Sequence, residues 1–146
     1  HRPAKLKATD LLTAWVHHLA LCAASDSPSA RTFCIARDGV TEFTPPEDPR
    51  TILLAILEAY WQGQAQPLPF FPETSWAYAK AVGKGGDRDE ALRKAREAWE
   101  GTSNRQGESG DYAFSVCFQG RDPFDERFAG LALGLFGPLM KHRRGS

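Results

Sequence analysis

The acidic residues and lysines of this sequence lack the spacing that a metal-dependent nuclease site requires. Such a site uses an acid on one strand and a second acid two positions before a lysine on the next, because alternate residues share one face and bind a common Mg²⁺. The chain contains six lysines, and the residues two positions before them are Pro3, Lys5, Tyr78, Val82, Leu92 and Leu139. None is acidic, so the sequence argues against this chemistry in its usual form. A nuclease with a displaced lysine or carboxylate stays open as an alternative, with candidate acids Asp38, Glu42 and Asp87.

Motifs for metals, cofactors and nucleophiles are equally weak. His17 and His18 are adjacent and would point about 100° apart on a helix, so they are poorly placed to share one metal ion. The glycine-rich run at residues 83–86 lacks the spacing and the hydroxyl residue of a nucleotide-binding loop. We therefore predict no catalytic residue, no metal site, no cofactor and no small-molecule substrate. The cysteines lie in apolar patterns typical of core positions, with a Cys–His nucleophile pair as the alternative; they are Cys22, Cys34 and Cys117.

Composition favours a globular domain in a reducing compartment. At 146 residues, with 42% hydrophobic and 25% charged residues, the chain is long enough for a single domain over residues 1–146 with its own core. The formal net charge is zero and the pI is near 7.1, so the chain lacks the basic excess of a module that binds nucleic acid by phosphate neutralisation alone. Three widely spaced cysteines favour the cytoplasm over an oxidising compartment. No apolar run is long enough to predict a membrane span.

A proline-rich apolar segment between two helical patterns is predicted to be the structural joint of the fold. Its prolines fix φ and push the preceding residues toward extended geometry, so neither flanking helix can run through it. Adjacent phenylalanines on an extended backbone point to opposite sides, so burying both requires apolar surface from more than one element. The alternative is an exposed proline-rich ligand. The residues of this joint are Pro67, Pro69, Phe70, Phe71, Pro72 and Trp76.

Apolar periodicity and capping residues predict a helix-rich α+β fold with one hairpin. The hairpin is predicted at residues 32–43 with Asp38-Gly39 as its turn. Residues 102–110 are polar and glycine-bearing, which predicts a mobile loop. Helices are predicted from a cap at Thr9 or Asp10 to residue 23, from Asp48-Pro49 to Gly63, from Thr74 or Ser75 to Val82, from Asp87 to Gly101, over residues 112–118, and after Asp122-Pro123.

Two groups of residues are candidate contact surfaces. The glycines Gly130, Gly134 and Gly137 share one face of the last helix, and an interior glycine costs about 1 kcal/mol relative to alanine. This cost favours close approach of another backbone, such as a partner, with simple tolerance as the alternative. Both chain ends are basic, a pattern more typical of solvated tails; their residues are candidates for contact with DNA phosphates if the fold brings the ends together. The basic residues concerned are Arg2, Lys5, Lys7, Lys141, Arg143 and Arg144.

Several of these stretches, in order along nearly the whole chain, resemble the C-terminal domain of RecC, the gamma subunit of the bacterial exodeoxyribonuclease V (RecBCD) complex. The matching stretches are KLKATDLLTAWVHHLALC at residues 5–22, WQG at 61–63, PLPFFP at 67–72, SWAY at 75–78, AWEG at 98–101 and RDP at 121–123.

The resemblance implies a degenerate PD-(D/E)XK nuclease-like fold without its catalytic residues, which agrees with the lysine spacing. In that family the early strands of the sheet lie upstream of the matching region, so we expect a C-terminal fragment of a longer subunit that lacks those strands. The implied function is noncatalytic support of subunit assembly and DNA-strand handling in an ATP-dependent helicase-nuclease. The implied partners are the RecB and RecD subunits, and DNA within the assembled complex. The alternative from composition is a helical protein-interaction module without a DNA role.

Overall fold

The computed structural model describes residues 5–25 and 30–145, which form six α-helices and five short strands, so the predicted helix-rich α+β class is confirmed. The helices are Ala8–Ala24 (α1), Pro49–Ala65 (α2), Pro72–Gly83 (α3), Arg88–Glu100 (α4), Tyr112–Phe118 (α5) and Glu126–His142 (α6). The strands are Thr32–Ala36 (β1), Gly39–Phe43 (β2), Gly101–Thr102 (β3), Arg105–Gln106 (β4) and Arg143–Arg144 (β5).

The described residues divide into two compact units. Unit 1 comprises the described residues of His1–Tyr60 together with those of Pro138–Ser146, and unit 2 comprises Trp61–Gly137. Helices α2 and α6 each contribute residues to both units. The single domain predicted for residues 1–146 stays a prediction.

Unit 1 packs α1 with a three-stranded antiparallel sheet in the order β1-β2-β5. The predicted hairpin is confirmed: Ala36 pairs with Gly39, whose φ of 140° is accessible to glycine at little cost. Strand β5 was not predicted, because its two arginines lack any apolar alternation; it pairs with β2 through Glu42 and Arg143–Arg144. The largest buried side chains of the α1 and β2 core are Trp15, Leu19 and Phe43.

Unit 2 has an aromatic core that is shared by α3, α4, α5 and the part of α6 before Pro138. Phe71 and Phe128 are fully buried in it, and Tyr78 and Phe124 are nearly so. On α4 the buried positions are Ala91 and Ala95, whose small side chains allow the aromatic rings to pack closely against that helix. The predicted core spacing of the last helix is thus confirmed at Phe128 and, farther along, at Phe136 and Leu139.

Several helix boundaries were predicted wrongly, for local reasons. Helix α1 begins at Ala8 because Asp10 lies at its third position and accepts the Lys7 N–H at 2.8 Å, rather than being the cap. Helix α3 begins at Pro72, since proline fits the first helical position. Helix α2 runs through Gly63 to Ala65 and ends before Pro67. Helix α6 is capped by Asp125, which accepts the Phe128 N–H at 2.8 Å, and not by Asp122.

The mobile loop predicted for residues 102–110 is also wrong. Strands β3 and β4 form a two-residue-long antiparallel ladder, and a 3-10 turn follows at Glu108–Gly110. Gly101 has a φ of 79°, and a side chain there would collide with the backbone nitrogen of Gly107. The polar composition of this segment gave no sign that glycine geometry would close it into a hairpin.

Candidate interaction surfaces

The proline-rich segment connects α2 to α3 within unit 2. Phe71 is buried with 0% exposure, Pro69 is buried, and Pro67 is exposed. The adjacent rings have different neighbours: Phe70 stacks on Phe136 at 5.7 Å between centroids, whereas Phe71 meets rings of α4, α5 and α6. Trp76 is half-buried and makes an edge contact with Phe136 at 5.2 Å. An exposed proline-rich ligand does not fit this burial.

Glu108 is a positioning residue that the sequence analysis missed. Its two carboxylate oxygens accept the N–H groups of Glu73 at 3.1 Å and Thr74 at 2.8 Å, in the first turn of α3. These N–H groups have no partner within the helix, and a negative charge at a helix N-terminus is favourable. The separation of 34 positions between Thr74 and Glu108 explains why no local motif indicated this cap.

The structure brings one histidine and one cysteine together in unit 1. The buried Cys22 Sγ lies 3.6 Å from Nε2 of His18, and Nδ1 of His18 lies 2.9 Å from the Thr32 hydroxyl. Cys22 borders a pocket of about 310 Å³. Burial raises the pKa of the Cys22 thiol and lowers the pKa of His18, the latter opposed by a hydrogen bond with the Thr44 backbone. Both effects favour the neutral pair, so the geometry is that of a packed core and not of an activated nucleophile.

The other cysteines divide between core and surface. Cys34 is half-buried on β1 and burial raises its pKa, while Cys117 on α5 is exposed. The prediction of a core position is therefore wrong for Cys117, because α5 is short and only Phe114 and Phe118 on it turn toward the aromatic core.

The rings of two histidines stack on Trp15, and we expect their protonation in acid to destabilise unit 1. The rings of His18 and His142 stack on Trp15 at 5.5 and 5.9 Å between centroids. Burial lowers the pKa of both; for His142 the positive charges of Lys141, His18 and Arg144 add to this and Glu47 opposes it. At acidic pH the folded state then binds fewer protons than the unfolded state. The contribution of the neutral histidines to the free energy of unfolding is therefore complete above pH about 6.5, and it is lost as the pH falls toward the pKa values of the folded state.

Urea denaturation between pH 7.5 and 5.0 measures this loss. We expect the midpoint to decrease over that range in the unmodified chain, and to decrease less in His142→Gln, which titrates one group fewer. Equal slopes in the two proteins would contradict a contribution from His142.

Segments near both chain ends contact the same hairpin. The Leu6 N–H donates to Asp38 in the turn at 3.3 Å, and Arg144 pairs in register with Glu42. The Arg143 guanidinium is half-buried and donates to the Thr41 hydroxyl at 3.4 Å, so it contributes to the sheet. Arg2 lies outside the described residues. The exposed cations of the set are Lys5, Lys7, Lys141 and Arg144.

The glycine face of α6 is open within the part of the chain that is described. Gly130 and Gly134 are exposed and Gly137 is half-buried. A methyl group added at any of the three would meet no atom within 4 Å, so no described backbone of this chain makes the predicted close approach. The face stays a predicted partner surface.

Because the glycine face of α6 is open, we expect replacement of its glycines by alanine to increase the free energy of unfolding. Because the added methyl groups have space and the positions are helical, Gly130→Ala and Gly134→Ala should each raise the free energy of unfolding by up to about 1 kcal/mol. Gly101→Ala is the contrasting variant and should destabilise, since its φ is positive and its methyl group would collide with backbone. Urea denaturation of the three variants tests this, and a loss of stability in Gly134→Ala would contradict it.

The described residues contain neither a cluster of metal ligands nor a helix that could span a membrane. No group of three or more histidine, cysteine or acidic side chains is arranged to hold a metal ion within residues 5–25 and 30–145. None of the helices in those ranges combines the length and the apolar character required to cross a membrane.

Comparison with known proteins identifies a family. Residues 1–83 match the family model described as RecC C-terminal domain. The chain is 30% identical over 127 residues to RecBCD enzyme subunit RecC of Mycobacterium tuberculosis (strain ATCC 25618 / H37Rv), a match that covers 83% of this chain and 11% of that protein. It is 31% identical over 121 residues to RecBCD enzyme subunit RecC of Escherichia coli (strain K12), covering 75% of this chain and 11% of that protein. The chain therefore spans about a tenth of the length of these relatives.

Proposed function

Because the chain belongs to the RecC C-terminal domain family, we propose that it is a noncatalytic domain of a RecBCD-type helicase-nuclease in double-strand break repair and recombination. There it supports subunit assembly and the handling of DNA strands, with RecB-type and RecD-type subunits as partners. The observation that carries the proposal is the family match over most of the chain. A degenerate PD-(D/E)XK nuclease-like fold is part of the proposal and rests on the resemblance alone. The absence of an acid two positions before any lysine supports the lack of catalysis.

The noncatalytic role is supported by the partners of the three candidate acids. Asp38 accepts the Leu6 N–H, and Glu42 forms an ion pair with Arg31 at 3.1 Å. Asp87 caps α4 by accepting the Glu90 N–H at 2.8 Å. Each carboxylate thus has a structural task in its own unit, which leaves none of them dedicated to a Mg²⁺ site. Divalent-metal-dependent cleavage of DNA by the purified chain would overturn this part of the proposal.

The assembly role is tested by capture of purified RecB-type and RecD-type subunits on the immobilised chain. We expect one of the two subunits to bind, with a dissociation constant that stays the same between 0.1 and 0.5 M NaCl. Circular dichroism establishes that the immobilised protein is folded. Failure of the folded chain to bind either subunit would contradict assembly through this domain.

The DNA-handling role predicts that cations at the chain ends contact phosphates. Lys5→Glu with Lys141→Glu, which reverses two exposed lysines, should weaken DNA binding by the assembled complex and reduce its salt dependence by roughly 0.9 in log–log slope per lost contact. Arg143 and Arg144 are left unchanged because both belong to β5, where Arg143 donates to Thr41 and Arg144 pairs in register with Glu42. The matched control reverses two exposed lysines elsewhere, Lys80→Glu with Lys84→Glu. Unchanged affinity and slope in the first variant would remove the phosphate contact.

A second candidate function is a helical protein-interaction module without a DNA role, which the zero net charge favours. Both candidates predict subunit capture. Only the DNA-handling role predicts that a variant with normal capture, such as the Lys5 and Lys141 reversal, impairs DNA unwinding by the complex.

A further inference from the structure

Helix α6 contains a proline in its interior, at the point where the chain passes from one compact unit to the other. Pro138 lies inside α6, whereas Pro49 and Pro72 are the first residues of α2 and α3. Unit 2 ends at Gly137, and unit 1 resumes at Pro138. Proline has no N–H to donate to the carbonyl four positions earlier, which is that of Gly134. The helix therefore lacks one of its own backbone hydrogen bonds in the turn where the units meet along the chain.

The two parts of α6 are held by different sets of contacts. Before the proline, Phe128 and Phe136 are fully buried and meet aromatic rings of unit 2. After the proline, Leu139 is fully buried, and the His142 ring stacks on Trp15 of unit 1 at 5.9 Å between centroids. Residues 137 and 138, between these anchors, are only half-buried. Each part of the helix is thus fixed within its own unit, and the turn between the two parts is not.

Packing against the described chain does not explain the glycines beside this proline. A methyl group added at Gly134 or Gly137 would meet no atom within 4 Å, and neither residue has a positive φ. Alanine would therefore fit at both positions and would restrict the backbone more. A residue before proline is also disfavoured in helical geometry, partly through its Cβ, which Gly137 lacks. The turn from Gly134 to Pro138 combines a missing hydrogen bond with two residues of high backbone freedom.

The second helix that continues from one unit into the other also contains glycine near the boundary. Helix α2 passes from unit 1 to unit 2 between Tyr60 and Trp61, and Gly63 follows two positions later. A methyl group at Gly63 would make an ordinary contact with the Leu68 side chain at 3.5 Å, so packing does not require glycine there either. Both covalent connections between the units therefore have a glycine in a helical turn at or next to the boundary.

We propose that residues 134–138 of α6 form a hinge, at which the part of the helix in unit 1 changes direction relative to the part in unit 2 while both cores stay intact. Hinges are a few residues, often small, that absorb a change in φ and ψ, and sharp bends in helices occur at proline and glycine. The hinge is a property of the chain by itself. It goes beyond the proposed assembly and DNA-handling roles, and its test does not depend on them.

The distribution of distances between two spin labels on α6 tests the hinge in the intact, folded chain. The first pair of labels replaces the exposed Arg127 and Lys141, which would be about 21 Å apart in a straight helix. A second pair at Lys80 and Arg127 lies entirely within unit 2. The labels are attached through noncanonical residues, so that the native cysteines stay unlabelled. We expect the distance distribution of the first pair to be at least about twice as wide as that of the second, because only the first spans the hinge.

Substitutions that stiffen the hinge should narrow the first distribution. Gly137→Ala with Pro138→Ala restores the missing donor and should reduce the width to about that of the pair within unit 2. Gly134→Ala, which keeps the proline, should narrow it in part. The matched control is Gly130→Ala, on the same open face of α6 but inside unit 2, and it should leave the width unchanged.

Two results would overturn the hinge. Equal widths for the two label pairs in the unmodified chain would mean that α6 is rigid across the proline. Equal narrowing by Gly130→Ala and Gly134→Ala would mean that general stiffening of the helix, and not the turn at the boundary, determines the width. Neither result bears on subunit capture, so failure of the hinge and failure of the proposed function are distinguishable.

Discussion

Replacing Phe71 by alanine is expected to lower the free energy of unfolding of unit 2 by about 3–5 kcal/mol. Its ring is fully buried and lies 4.4 Å from Trp99, 4.9 Å from Phe114 and 5.1 Å from Phe118, measured between centroids. The two α5 contacts are edge-on, a favoured aromatic geometry, so the loss includes specific ring contacts as well as buried area. Urea denaturation followed by tryptophan fluorescence measures the change, since Trp99 reports directly on this cavity.

The adjacent Phe70 provides the matched control. It is half-buried and its one aromatic neighbour among the described residues is Phe136. Phe70→Ala removes the same group from the same extended segment and should cost less than half as much as Phe71→Ala. Equal losses in the two variants would show that the stabilisation comes from the segment as a whole and not from the Phe71 ring. Phe71→Leu should recover most of the lost stability, because it refills much of the volume.

Local signals in the sequence were sufficient for most of the elements. Alternation around Asp38-Gly39 predicted the hairpin, and the pairing of Asp87 with Glu90 predicted the start of α4, where the structure has the expected bond. Both depend on residues that lie close together in the sequence. At the start of α6 two acids, Asp122 and Asp125, were both candidate caps, and sequence alone did not decide which one caps the helix.

Features that depend on distant residues were not predicted. Strand β5 forms only because β2 presents a free edge to Arg143–Arg144, about 100 residues later in the chain. Glu108 stabilises the start of α3 from a segment that the sequence indicated to be mobile. The apolar stripe of α2 predicted a helix correctly, but periodicity does not state what covers a stripe, and here none of it is buried. The exposure of α2 was therefore visible only as a mismatch between its apolar pattern and its burial.

The stack around Trp15 should be as important to unit 1 as Phe71 is to unit 2. Trp15 is fully buried between the rings of His18 and His142 and lies 5.4 Å from the Phe43 ring. Trp15→Ala should lower the free energy of unfolding by about 3–5 kcal/mol. It should also weaken the attachment of β5, because His142 immediately precedes that strand and accepts the Thr44 N–H at its carbonyl, 2.9 Å away. Amide hydrogen exchange at Phe43 and Thr44 measures that second effect.

Trp15→Phe separates the packing of the ring from its polar group. The indole N–H of Trp15 is buried and has no hydrogen-bond partner among the described residues, and such a group costs about 1–3 kcal/mol. Phenylalanine loses part of the ring volume but removes this penalty, so the two terms oppose each other and the net change should stay within about 1 kcal/mol. A loss as large as that of Trp15→Ala would mean that the N–H is satisfied in solution, for example by a bound water. Near-neutral behaviour would mean that the stack is held by ring packing alone, and that its sensitivity to acid comes from the two histidines.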